Sequence, residues 1–90
     1  MSEPIEDKNT KRDYTLMPLE YEERIIDRFQ FGAEKYARDD WKSYGPPERL
    51  KQYASLHRHL RQAQRGDTDE DHLAAVIIQA IILMHIEKSL

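Results

Sequence analysis

The stretch LAAVIIQAIILMHI, Leu73 to Ile86, decides the fold. Ile77, Ile78, Ile81 and Ile82 are β-branched and taken alone would suit a strand. The run is too long for one, contains no turn residue, and follows start signals typical of a helix. Thr68 and Asp71 resemble a capping box with Asp in place of Glu, and the acids Asp69 to Asp71 stand where a helix dipole favours negative charge. The spacing therefore predicts a third helix over Leu73 to Lys88. It is apolar almost all the way round for 14 residues, short of the roughly 20 needed to cross a bilayer. Without the basic polar face of an interfacial helix, it must be buried on all sides.

Working upstream, ERLKQYASLHRHLRQAQR over 48–65 reads as a second helix, ended by Gly66. Leu50, Tyr53, Leu56, Leu60 and Ala63 form its expected apolar face, with His57 on that side and His59 on another. Ser43 to Pro47, SYGPP, is the strongest breaker in the chain. Before it, a first helix starts near Pro18, with Glu20, Glu22 and Glu23 in its first turns. Ile25, Ile26, Phe29, Ala33 and Tyr36 make its stripe, and Gly32 either interrupts it or permits close backbone approach. Residues 1–14 hold only Ile5 as a sizeable aliphatic and are expected to be a flexible tail, leaving 15–90 as a single domain. Two helices with one stripe each cannot enclose a helix that is apolar all round. The expectation is an all-α bundle of three main helices whose core is completed by homo-oligomerisation through residues 73–86.

The 90 residues carry 14 basic and 17 acidic side chains, for a formal charge of −3 and a pI near 5.8. That balance disfavours a nucleic-acid partner. The absence of cysteine removes disulfides, thiolate metal sites and Cys nucleophiles. The polar start MSEPIEDKNTKRD lacks the apolar centre of a signal peptide, so a cytoplasmic protein is expected, without membrane partners. Charge is unevenly spread: residues 1–24 sum to −3, 25–66 to +4 and 67–90 to −4. Within the basic block, Lys51, Arg58, Arg61 and Arg65 fall within roughly 80° on a helical wheel. Guanidinium groups match phosphate oxygens, so this ridge is either a phosphate grip or a solvated helix edge.

His72 and Gln79 are the polar side chains of the third helix that share one face. A buried imidazole or amide needs partners, so that face meets a polar cavity or an interhelical hydrogen bond that sets register. The pairs Glu20/Glu23 and Asp67/Glu70 sit at helix starts, where dipole compensation already accounts for acids. Glu22 shares the stripe of Ile25 and Phe29. No phosphate loop, G-x-S-x-G, H-E-x-x-H or Cys/His zinc pattern is present.

Phe31 to Tyr36 (FGAEKY), Trp41, Arg58-His59-Leu60, Gly66-Asp67, Asp69 and His72-Leu73-Ala74 together resemble the dATP/dGTP diphosphohydrolase N-terminal family, found largely in bacteriophages. The similarity covers roughly residues 17 to 88. It implies a helical protein that binds or acts on purine nucleotides, akin to all-α pyrophosphatases that use carboxylate-bound Mg²⁺. The matching positions are Gly32, Ala33, Lys35, Tyr36, Trp41, Arg58, His59, Gly66, Asp69, His72 and Leu73. Four positions depart from the family pattern: Asp40 replaces Asn, Asp67 replaces Glu, Ala75 stands where a second His is expected, and Gln79 replaces Asn.

Together with the expected oligomer, this resemblance leads to an expected nucleotide pocket between subunits. Lys35, Arg38, Arg58 and Arg61 would hold phosphates, Tyr36 and Trp41 would stack on the base, and His59, His72 and Gln79 would complete it. Core packing is the other reading of Tyr36 and Trp41. Loss of the second His favours binding over turnover, so the expected role is to sequester a host immune signalling nucleotide in the infected bacterial cytoplasm. The alternatives are a Mg²⁺-dependent diphosphohydrolase, with Glu22, Glu34 and Asp69 and either His59 or His72 around the metal, and a helical protein-interaction adaptor.

Overall fold

The computed structural model describes residues 11–90, so most of the expected N-terminal tail, residues 1–10, lies outside the described residues. Three α-helices make the domain: α1 over Leu19–Lys35, α2 over Arg49–Arg65 and α3 over His72–Glu87. Single 3₁₀ turns occupy Tyr14–Leu16, Asp40–Ser43 and Pro46–Glu48. No strand occurs among the described residues, and no helix there is long and apolar enough to cross a membrane. The all-α expectation holds.

Local chemistry sets each boundary. Pro18 precedes the first residue of α1 and supplies extended backbone at its N-cap. The helix runs unbroken through Gly32, and a Cβ there would meet nothing within 4 Å. Neither interruption nor close approach explains that glycine. At the end of α2, Gly66 adopts the left-handed region, φ 85°. Its N–H donates to Ala63 O, and the Asp67 N–H donates to Gln62 O, both at 3.0 Å, which is a Schellman closure. At the start of α3 the cap is Asp71 itself, whose Oδ1 accepts the Ala74 N–H at 3.2 Å. Thr68 does not take the capping role anticipated from the sequence.

Helix α3 is central, and α1 and α2 each pack on it rather than on one another. Ile78, Ile82, Leu83 and Ile86 form the buried core, with Ile25, Phe29, Trp41, Tyr44 and Leu56 against them. Burial of α3 is not complete. Leu73, Ile77 and Met84 remain 51, 43 and 57 % exposed, and together with Ala80 they form a stripe at alternating four- and three-residue steps, the spacing of a coiled-coil seam.

The face of α2 turned inward keeps Leu56, Leu60 and Ala63 of the expected stripe but not Leu50 and Tyr53. Gln52 is buried, and Ser55, Leu56, His59, Leu60, Gln62 and Ala63 are half-buried, while Leu50 and Tyr53 are exposed. His59 therefore faces inward and His57 faces out, the reverse of the sequence reading. Apolar periodicity misplaced the helix because its inward face is partly polar.

Candidate functional site

The end of the bundle where α2 turns into α3 gathers most of the ionisable groups that meet across helices. Arg24 and Arg28 lie one turn apart on α1 and so project to the same side. The Arg24 guanidinium donates to both carboxylate oxygens of Asp71, Nε to Oδ2 at 2.6 Å and Nη2 to Oδ1 at 2.7 Å. Arg28, whose side chain is only 14 % exposed, pairs through Nη1 with Glu70 Oε1 at 2.9 Å. Beside them Arg65 pairs with Asp67 at 2.6 Å. The α2–α3 turn is thus tied to α1 by two ion pairs and to α2 by a third.

Beneath this charged layer lies a chain of two imidazoles and a carboxylate. His72, the first residue of α3, is buried, and its Nε2 is 2.7 Å from Asp69 Oδ1. Its Nδ1 faces His59 Nδ1 at 2.9 Å, with the rings tilted by 36°. The tautomers follow from donor and acceptor rules with both rings neutral. An ionised Asp69 only accepts, so His72 carries its hydrogen on Nε2 and a lone pair on Nδ1. His59 must then donate from Nδ1, which leaves its Nε2 as an acceptor.

The electrostatics agree with this arrangement. Burial, reinforced by the Arg28 charge and by His72, lowers the His59 pKa below its ordinary value, which keeps the ring neutral near pH 7. The hydrogen bond with His72 holds the Asp69 carboxyl below the usual carboxylate range. Asp71 is lowered chiefly by the Arg24 hydrogen bond, burial opposing and the capped Ala74 N–H adding to it. Two open hollows flank the Arg24–Asp71 pair. The larger, about 430 Å³, is lined by residues including Gly66, Asp67, Thr68 and His72, and the smaller, about 240 Å³, by Arg28, Phe31 and Asp69 among others. The larger is of the size that small ligands occupy.

Of the residues singled out in the sequence, His59, Asp69 and His72 come together here. Arg58 and Arg61 stand outward on α2, and neither lies within 4 Å of a carboxylate among the described residues. Gln79 is seven residues from His72 on α3, and its Oε1 is buried with no hydrogen-bond partner. Of the FGAEKY and tryptophan segment, Phe31 lines the smaller hollow, its ring centroid 4.7 Å from the Arg28 guanidinium, and the rest lies elsewhere. Trp41 packs on the core, 6.1 Å from the Phe29 ring and 5.3 Å edge-on from His85. His85 lies about 20 Å along α3 from His72 at 1.5 Å per residue. Tyr36 is exposed, with Lys35 Nζ 5.6 Å from its ring centroid, and Arg38 is exposed beside Asp39.

A Mg²⁺ ion held by one or two carboxylates and substrate phosphates would draw, among the described residues, on the acids of the α2–α3 turn. The two groups that could converge on an ion are His59, Glu70 and His72, and Asp67, Asp69 and His72. Both include imidazole, whereas Mg²⁺ favours an octahedron of oxygens. Glu22 and Glu34 are exposed on α1 and join neither group. Sequence reasoning passed over Arg24, Arg28, Glu70 and Asp71 as site residues. A signal existed: two arginines one helical turn apart, and a run of three acids, Asp69 to Asp71, where a helix cap needs one.

Comparison with known proteins gives one family. Residues 3–89 match the family model described as dATP/dGTP diphosphohydrolase, N-terminal. No curated protein and no solved structure matches the chain.

Proposed function

We propose that this chain, which belongs to the dATP/dGTP diphosphohydrolase N-terminal family, binds a phosphorylated purine nucleotide at the α2–α3 end of the bundle and hydrolyses it. The observation that carries the reading is the Asp69–His72–His59 chain, formed by residues of the family pattern and set beside an open hollow. Neutral His59, with Nε2 left as an acceptor, is suited to take a proton from water as that water attacks a phosphoryl group. His72 and Asp69 would fix its orientation and share the positive charge that develops. Arg24 lines both hollows and Arg28 the smaller, so these cations would meet the phosphates, while Arg58 and Arg61 stand outward on α2 and line neither. Cleavage between the α and β phosphates would release pyrophosphate and a monophosphate.

A second reading, retention without turnover, is favoured by one position. Ala75 is 1 % exposed where the family pattern has its second histidine, so one imidazole is missing from the same face as His72. In that reading the chain sequesters a signalling nucleotide in an infected bacterial cell. The apolar stripe of Leu73, Ile77, Ala80 and Met84 suits pairing with a second copy in either case. An antiparallel pair would bring the Trp41 end of one chain towards the His72 end of the other, joining the two separated parts of the family pattern.

One experiment tests both fates. The protein is incubated with a nucleotide panel and divalent cation, and recovered ligand is compared before and after heat denaturation. Pyrophosphate and monophosphate support hydrolysis; intact ligand released only by heat supports retention. If no nucleotide is depleted, both readings fail.

A further inference from the structure

Imidazole pairs that face each other through the same ring nitrogen are suited to more than a hydrogen bond. His59 Nδ1 and His72 Nδ1 are 2.9 Å apart. Two nitrogens each about 2.0–2.1 Å from one metal ion stand about 2.9 Å apart at a right angle and about 3.4 Å apart in a tetrahedron. The rings would need to separate by a few tenths of an ångström at most. Glu70 places a carboxylate oxygen within 4.8 Å of both imidazole ligand atoms. Arg28 holds that carboxylate through Oε1 at 2.9 Å, and a carboxylate has a second oxygen to offer.

The surroundings of His72 supply a second, independent observation. A histidine that ligates a metal commonly donates its other ring N–H to a carboxylate, which fixes the tautomer and ring orientation. His72 has that geometry already, with Nε2 at 2.7 Å from Asp69 Oδ1 and the ring buried. The other convergent group, Asp67, Asp69 and His72, is the poorer site. Arg65 holds Asp67 at 2.6 Å, and Asp69 is 67 % exposed and already occupied with His72.

We infer that His59, Glu70 and His72 form a site for a borderline divalent transition metal such as Zn²⁺, held by the two Nδ1 atoms and a Glu70 oxygen, with Asp69 as the positioning residue. Two imidazoles and one carboxylate with room for water is a donor set that suits Zn²⁺ or Co²⁺ and not Mg²⁺. The site stands on its geometry and does not need the nucleotide reading. Both uses draw on His59: ligation through Nδ1 moves its hydrogen to Nε2, so the ring can no longer act as a base there.

The test is calorimetric titration of the full chain with Zn²⁺, Co²⁺ and Mg²⁺ in the absence of nucleotide, together with the visible spectrum of the Co²⁺ form. The expected result is one Zn²⁺ or Co²⁺ per chain, bound far more tightly than Mg²⁺, with the absorption of a low-coordinate Co²⁺ centre. His59→Gln and Glu70→Gln, each checked for helicity by circular dichroism, should weaken Zn²⁺ binding by more than about 100-fold, beyond the loss typical of an orienting partner. Asp69→Asn should weaken it by about 10- to 100-fold at unchanged stoichiometry. Zn²⁺ binding no tighter than Mg²⁺, or unchanged Zn²⁺ affinity in folded His59→Gln, would overturn the inference.

Discussion

Gly32 lies inside α1, half-buried, with open space where a Cβ would project. A helix-interior glycine costs about 0.5–1 kcal/mol relative to alanine, so Gly32→Ala should stabilise the chain by about that amount in urea unfolding. A destabilised variant would show that something covers this position. Asp71 does two things, capping α3 and pairing with Arg24. Asp71→Asn keeps the cap and loses only a half-exposed ion pair, at a cost of about 0.2–1 kcal/mol. Asp71→Ala loses both and should cost about 1 kcal/mol more than the Asn variant, measured in the same unfolding series. His59 sets the pH response. Its folded pKa lies below the unfolded value of about 6.5, so the unfolded chain takes up the proton first as pH falls. Stability should drop as pH falls below about 6.5 and level off below the folded value. His59→Gln should flatten that step in Tm between neutral and mildly acidic pH. Asp71, with its folded pKa depressed, adds a separate loss at lower pH as its carboxylate is protonated.

Among the elements, the three helices and the stop of α2 were legible because Gly66, the Pro46-Pro47 pair and the long apolar run leave little choice, whereas α1 ends at Lys35, short of the SYGPP breaker, and leaves Tyr36 outside its stripe. The orientation of α2 was not. A stripe through Leu50, Tyr53, Leu56, Leu60 and Ala63 obeys helical periodicity, but only its last three residues turn inward, beside Gln52, Ser55, His59 and Gln62, and Leu50 is 81 % exposed. Polar groups inside are favourable only with partners, and the His59 partner, His72, lies on another helix. Single-helix patterning cannot register such a pair. The same limit hid Arg24 and Arg28, whose partners Asp71 and Glu70 are more than 40 residues away. On α3 the prediction concerns the uncovered stripe. If two copies pair through Leu73, Ile77, Ala80 and Met84, Ile77→Lys should convert a dimer or larger species to monomer in sedimentation equilibrium while preserving helicity. A wild-type chain that sediments as monomer at micromolar concentration would contradict the pairing.

For the molecule as a whole, the residues shared with the family divide between two ends of α3. His59, the Gly66 turn, Asp69 and His72 gather at one end, with Phe31 against Arg28, and Trp41 packs beside His85 at the other. The first end holds the only histidine pair in contact among the described residues, the arginines of α1 and the larger hollow. The proposed nucleotide site lies at that end. The direct measurement is an amide ¹H–¹⁵N NMR titration of the full chain with dATP and dGTP in the presence of divalent cation. Saturable shifts concentrated on Arg24, Arg28, Arg58 to Arg61 and Gly66 to Leu73 are expected. No saturable shift with either nucleotide, or shifts that leave the α2–α3 turn untouched, would contradict it.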